Sequence, residues 1–297
     1  MRLTIVIVTK DRPGLLADTL ASVADGAPQS TEVLVVDASE GESTEAVVNA
    51  ASAASPDLDL RHLRSAPGMC RQRNRGLDEA QGEIVAYLDD DVLLEPDALE
   101  RLLKPFTDPA VVGATGKVLE PSPRRLSLKH SRLRRWLPGA GAQGTMTRSG
   151  YPNRLWSVDE PHTVETMSGC FMAARTEDAR ATRFDERLEA DNGYAFLDDE
   201  DFAYRLSRRG RLIYTPDARL VHRNTGFSSA RAREFNRGLV VRRHYTLEKS
   251  FAHRRGARAH WWLMMAIHLV HRVVNGDWHG ARGLLDGFWD VATRRAR

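Results

Sequence analysis

The 297-residue sequence predicts an α/β fold, a mixed, mainly parallel sheet flanked by helices, with a helical C-terminal extension. Three observations carry that expectation. Short apolar runs alternate with helix-period segments through the first hundred residues, aspartates stand where two of those runs end, and the strict alternation stops after Phe106.

Residues 3–8 form a continuous apolar run, as expected of a strand covered on both faces. Asp11 and Pro13 mark a turn, and Leu15, Leu16, Leu20 and Val23 then recur at helical spacing. A second buried strand, residues 33–36, ends at Asp37. A helix over 45–54, a weaker strand near 60–63 and a helix over 71–80 follow, before the strand 84–88 runs into Asp89-Asp90-Asp91. Ligands of open α/β sheets bind beyond the carboxyl ends of the strands. Asp37 and the three aspartates therefore mark the expected site.

Beyond 106 the sequence predicts a strand over 111–119, a basic stretch with Pro and Gly over 121–155, and an extended apolar segment over 163–174. A helix starts near Asp199 with Phe202 and Leu206 inward; short strands over 212–214 and 218–221 follow, the second ending at His222. From about Ala230 the chain reads as helical and basic.

The bulk numbers exclude several classes. Lys plus Arg is 43 and Asp plus Glu is 40, so a net charge of +3 gives no argument for a nucleic-acid partner. At 42% hydrophobic residues the chain is not disordered as a whole. Two cysteines, Cys70 and Cys170, cannot form a disulfide framework and point to a reducing compartment. The opening run reads as a buried strand rather than a signal peptide. The apolar stretch 261–274 contains His268, His271 and Arg272 and is too short and polar for a membrane span. A cytoplasmic location is expected, with peripheral contact at the inner face of a membrane as an alternative use.

Two acidic clusters carry the chemistry. Side chains alternate along a strand, so Asp89 and Asp91 can point the same way and make a hard-oxygen site for Mg²⁺ or Mn²⁺. An anionic nucleotide diphosphate would need such a cation between itself and these acids; the plain alternative is a solvated acidic loop. Asp198-Asp199-Glu200-Asp201 opens a helix, which suits either a general base or simple capping. Arg12, Arg71 and Arg73 near the carboxyl end of the sheet read as anion partners or as surface cations.

Six segments in order give a specific resemblance. "TIVIVTKDRPGLLADTLASV", "EVLVVDAS", "RQRNRGLDEAQGEIVAYLDDDV", "SGCFMAART" with "RFDERL", "DDEDFAYRLSRRG" and "PDARLVHRN" resemble an inverting family-2 glycosyltransferase over roughly residues 3–225. The resemblance implies a Rossmann-like, A-type glycosyltransferase fold and transfer of a sugar from a nucleotide-diphosphate donor. Glycan or lipid-linked acceptors are implied, in cell-surface polysaccharide or glycolipid assembly, with a rhamnosyltransferase-like character. It also implies a division into a catalytic domain over 1–228, with halves 1–106 for nucleotide and 107–228 for acceptor, and an extension over 229–297.

Carried over by position, Thr9, Asp11 and Arg12 line the nucleotide pocket, Asp37 reaches base or ribose, and Arg71 and Arg73 approach the nucleotide. Asp89 and Asp90 meet ribose and metal, and Asp91 coordinates the metal with Asp89 and His222. Many relatives carry a second Asp or Asn where this chain has Ala38, which leaves the nucleotide open. Anchoring the motif on Arg205 puts Asp198 at the family's Glu and Asp199 at the catalytic base; the alternative register uses Glu200-Asp201. The rival functions are a sugar nucleotidyltransferase, which lacks its Gly-rich Lys-containing loop here, and a non-catalytic sugar-nucleotide-binding module.

Three features stand apart from the motifs. Arg124, Arg125, Lys129, His130, Arg132, Arg134 and Arg135 form a basic stretch, either a solvated face or an approach for phosphate-bearing acceptors or an anionic membrane. Residues 138–152 have the composition of a mobile loop that folds over bound donor. Leu263, Ile267, Val270 and Val274 form a helical stripe expected to pack on the catalytic domain, with membrane contact or self-association as alternatives.

Overall fold

The computed structural model describes residues 1–119, 142–153, 158–190, 193–223 and 232–293. These divide into two compact units. One holds the described residues up to 119 and those of 158–223; the other joins 142–153 to 232–293.

The first unit is built on a single nine-stranded sheet. Its first half is the predicted βαβ series. β1 (Leu3–Thr9), β2 (Glu32–Asp37), β3 (Asp59–Arg64) and β4 (Ile84–Asp89) run parallel, with β1 between β2 and β4. The crossovers are α1 (Pro13–Gly26), α2 (Ser43–Ala54) and α3 (Met69–Glu79). Pro13 sits in the first turn of α1, where its missing N–H costs nothing.

β1 shows why the run is apolar throughout. Leu3, Ile5 and Ile7 pack on one face with Leu16, Leu20 and Val48 of α1 and α2, while Val6 and Val8 pack on the other with Cys70 and Leu77 of α3. Both sides of the strand are thus core, and alternation disappears. Gly76 lets α3 approach closely: a Cβ there would overlap the side chain of Val6.

The second half of the sheet is mixed. β5 (Val92–Leu94) follows the acidic turn, and α4 (Ala98–Leu103) leads to β6 (Val111–Leu119). The segment expected to be extended over 163–174 is broken. β7 (His162–Val164) and β8 (Phe171–Arg175) are separated by a turn, and β8 inserts antiparallel between β4 and β6. α5 (Thr176–Thr182) and α6 (Asp198–Leu206) follow. The two short strands expected near 212–221 are one, β9 (Arg211–His222), whose ladder with β6 shifts register at Gly116/Lys117. A bulge absorbs Pro216 and Asp217 within a continuous strand.

The second unit contains α7 (Ala232–Thr246), a π-helical turn over Leu247–Phe251, α8 (Ala257–Val274) and α9 (Trp278–Ala292). Two expectations change here. Residues 142–152, read as a mobile loop, form a packed turn. Thr147 and Tyr151 bond through their main chains, Gly150 adopts a positive φ beneath the Phe251 ring, and Arg243 donates to the Gly150 carbonyl while lying over Tyr151. Composition missed the aromatic and cationic partners that arrive a hundred residues later.

Of the expected stripe, Leu263, Val270 and Val274 face outward and Ile267 is half-buried, so it does not pack onto a core. α8 instead buries Ala257, His260, Trp261 and Met265, with His260 bonded to Ser149 at 2.6 Å. The basic stretch 124–135 lies outside the described residues.

Candidate active site

The site forms where β1, β2 and β4 end, and the first half of the fold dictates its position. β1 and β2 stay paired to their last residues, Thr9 and Asp37, and the amide of Gln72 on α3 donates to the carbonyls of Thr9 (2.9 Å) and Val36 (2.8 Å). Both strand termini are thereby fixed. Thr19 of α1 anchors the next turn: its hydroxyl lies 2.9 Å from the carbonyls of Asp90 and of Val92.

Asp89 is the last residue of β4, and the chain turns at Asp90-Asp91 before β5. Strand alternation therefore does not bring Asp89 and Asp91 together; the turn does. One ligand atom from each of Asp89, Asp91 and His222 falls within 4.8 Å of the others. His222 arrives from the far end of the chain because β9 pairs antiparallel with β5, placing it opposite Val92. Its Nε2 is 3.0 Å from an Asp91 carboxylate oxygen. The Arg223 N–H donates to the Asp91 carbonyl at 2.9 Å and secures the same turn.

The three aspartates are not equivalent. Burial alone would raise the Asp91 carboxyl, yet the hydrogen bond and charge of His222, with Arg12 nearby, hold it below the usual carboxylate range. Asp90 is committed elsewhere: it accepts from the Thr9 hydroxyl at 2.6 Å and from Arg12 at 3.2 Å. Burial pushes its carboxyl up to about 6 against both partners, and the charges of Asp89 and Asp91 add to the rise. Arg12 also reaches Asp91 at 3.5 Å and remains 46% exposed, so its guanidinium still faces solvent.

The second acidic cluster sits at the start of α6. Asp201 and Phe202 are buried, and Asp201 pairs with Arg205 one turn later at 2.7 Å. Asp198 is buried and ion-paired to Arg73. Burial pushes the Asp198 carboxyl up, with Arg73 opposing and the charge of Asp199 adding. Asp199 alone of the four is half-buried; one oxygen accepts from the Gly169 N–H at 3.1 Å and the other from the Glu200 N–H at 2.8 Å.

Arg73 links the clusters. Besides Asp198, it donates to Asp89 at 3.2 Å and to the Gly169 carbonyl at 3.2 Å. Burial disfavours its charge, but the surrounding carboxylates outweigh that and raise its pKa. Gly169 is packed so closely that a Cβ would lie 3.1 Å from both Arg73 and the Asp199 Cβ. The turn before β8 thus touches Asp199 directly and reaches Asp89 through Arg73.

The other expected residues are spread around this centre. Asp11 has φ 55° and its N–H donates to the Ser39 hydroxyl at 2.7 Å. Asp37 is fully buried and takes Ser39 N–H, His62 (3.0 Å) and Arg64 (3.4 Å) as partners. Arg71 lies away from the acidic clusters, its guanidinium beside Glu186 (3.5 Å) and Glu189 (3.9 Å). Of the three α3 arginines, only Arg73 joins the acidic centre, as an internal tie with almost no exposed surface.

Sequence reading missed Gln72, Thr19, Gly169, His62 and Arg64. The last two left a signal, since polar residues two apart in β3 share a face; the others left none.

A family model for glycosyl transferase family 2 matches residues 4–180. The chain belongs to that family. No curated protein sequence matches it significantly. Among solved structures, this glycosyltransferase is similar to the mannosyltransferase PcManGT from Pyrobaculum calidifontis, in complex with GDP-Man and Mn²⁺. The two share 19% identity with a TM-score of 0.61, over 97% of this chain and 87% of that one. It is also similar to GalNAc-T7 with UDP, GalNAc and Mn²⁺, at 18% identity and a TM-score of 0.57, over 81% of this chain and 48% of that chain. S. aureus TarS gives 17% identity and a TM-score of 0.51 over 81% of this glycosyltransferase and 39% of TarS. These likenesses establish the A-type glycosyltransferase fold.

Proposed function

We propose that the protein is an inverting, metal-dependent glycosyltransferase that moves a sugar from a nucleotide diphosphate to an acceptor hydroxyl by single displacement. The observation that carries this reading is the convergence of Asp89, Asp91 and His222 within 4.8 Å, with Asp199 held nearby through Gly169 and Arg73. Two carboxylates and an imidazole suit Mn²⁺ or Mg²⁺. When bound, the ion offsets charge on the departing diphosphate.

The chain's own residues do the rest. Arg12, exposed beside Asp90 and Asp91, offers a guanidinium to phosphate oxygens. Thr9 and Thr19 hold the aspartate turn in one geometry. Asp199 takes the proton of the acceptor hydroxyl as that oxygen attacks the anomeric carbon; the diphosphate leaves from the opposite face and the centre inverts. Two N–H donors hold the Asp199 carboxylate in place at the start of α6. Asp198 and Asp201 are held by arginines, which supports the register with Asp199 as base. Donor binding belongs to residues Thr9–Arg12, Asp37 and Asp89–Asp91, and a role in cell-surface glycan or glycolipid assembly fits the family.

The test is Asp199→Asn. Transfer falls by about 10²–10⁴-fold while the donor-induced rise in melting temperature, measured over UDP-, GDP- and dTDP-sugars with Mn²⁺ or with EDTA, is retained. Full transfer by this variant would overturn the assignment of the base. Absence of any metal-dependent shift with every donor would overturn the donor site.

A further inference from the structure

The helices of the second unit expose hydrocarbon that a folded chain normally hides. From His260 to the end of α8 the exposed side chains are all apolar: Trp262, Leu263, Ala266, Val270, Val273 and Val274. Val270 is 61% exposed and Val274 77%. On α9, Trp278, Arg282, Leu285 and Trp289 follow at intervals of four, three and four, a single stripe, and all are exposed. α8 and α9 meet at Trp262, whose ring centroid lies 5.6 Å from that of Phe288. An exposed apolar surface of this kind marks a contact face.

Charge says what the face meets. Residues 229–297 carry 14 Lys and Arg against five Asp and Glu, whereas residues 1–228 carry 29 against 35. Four of these five acids are already engaged: Asp277 with Arg272, Asp286 with Arg233, Asp290 with Arg237 and Glu248 with Arg258. No helix of the described residues is long and apolar enough to cross a membrane. Tryptophans with Leu, Val and Arg on helices of that kind suit the interfacial layer of a bilayer, where an indole sits at headgroup depth. A symmetric dimer through the same face would oppose two strongly positive segments. An anionic lipid surface offers the opposite charge.

We propose that α8 and α9 dock the protein on an anionic lipid bilayer, with Trp262, Trp278 and Trp289 in the headgroup layer and Arg282 beside lipid phosphate. The proposal goes beyond the transfer reaction and is independent of the sugar. It puts the enzyme on the surface where lipid-borne molecules are found.

The full chain is mixed at low salt with vesicles of phosphatidylcholine alone and of phosphatidylcholine with phosphatidylglycerol. Binding is read by sedimentation and by a blue shift of tryptophan emission. The expected result is binding to the phosphatidylglycerol vesicles only, weakened by salt. Arg282→Glu should weaken it about fivefold or more, from the cationic contribution near an anionic surface, and Trp278→Ala with Trp289→Ala more strongly. These side chains are exposed, so the variants keep the parent melting temperature, which is measured alongside. Three results would each overturn the proposal. One is no binding to anionic vesicles; another is binding unchanged in the double tryptophan variant. The third is a lipid-free dimer, seen by analytical ultracentrifugation, that the double tryptophan variant dissociates, which would make a second copy the occupant.

Discussion

The two units handle exposure in opposite ways. In the first, charge is buried and compensated: Asp37 meets His62 and Arg64, Asp90 and Asp91 meet Arg12, and Asp198 meets Arg73. In the second, hydrocarbon is left out in solvent while the buried arc of α8 holds Trp261 and Met265. Buried charge demands pre-set partners, because an unpaired ion in a low-dielectric interior is costly. Exposed hydrocarbon demands nothing of the fold and gains only when something covers it. A substitution should therefore be severe where it unpairs a buried charge of the first unit and silent where it trims exposed hydrocarbon of the second.

The largest effect is expected at Asp199, where replacement by Asn removes the proposed base and lowers turnover about 10²–10⁴-fold with little change in melting temperature. Next is Arg73→Met, which strips the shared cation from Asp198 and Asp89. Leaving buried carboxylates unpaired costs about 3–5 kcal/mol, seen as a reduced urea midpoint; Arg73→Lys should recover part of it. An unchanged midpoint for Arg73→Met would break the contrast between the units.

Trp261→Ala and Trp278→Ala sharpen it within one helical region. Trp261 is 1% exposed and Trp278 67%. The first should cost about 3–5 kcal/mol and the second lie within about 0.5 kcal/mol of the parent, both by denaturant melts in the absence of lipid. Equal costs would mean that Trp278 is covered in solution.

A milder trend is expected with pH. Burial lowers the His268 pKa to about 4, helped by the charges of Arg243, Arg272 and His271. The folded state thus favours neutral imidazole, while the unfolded chain takes up a proton near its ordinary value of 6.5. The contribution is present above that value and is lost as pH falls toward 4. His268→Gln should flatten this part of the melting-temperature profile between those limits; an unchanged slope would remove His268 as its source.

How much of this was legible depended on how locally each feature is encoded. The parallel strands β1, β2 and β4 announced themselves because both faces are buried, which leaves uninterrupted apolar runs. Aspartates at the ends of β2 and β4 followed from the same reasoning. α6 was legible in its start and its inward residues, since Phe202 and Leu206 keep helical spacing. The break between β7 and β8 was not, because residues 163–174 stay apolar across a turn that only the insertion between β4 and β6 requires. Nor did the stripe on α8 reveal its direction, since periodicity locates an apolar face without saying what lies opposite it.

By itself the sequence determined the βαβ half, the end of the sheet at which chemistry gathers, and the acids available to it, because short-range patterning and strand length are written in neighbouring residues. Only the tertiary structure decided which groups meet. It brought His222 to Asp91 across 131 positions through the β5–β9 pairing. It turned Arg73 into a tie between Asp89 and Asp198, and it left Asp199 the accessible acid of its cluster. Such contacts depend on chain closure over long separations, and no local pattern of residues carries that information.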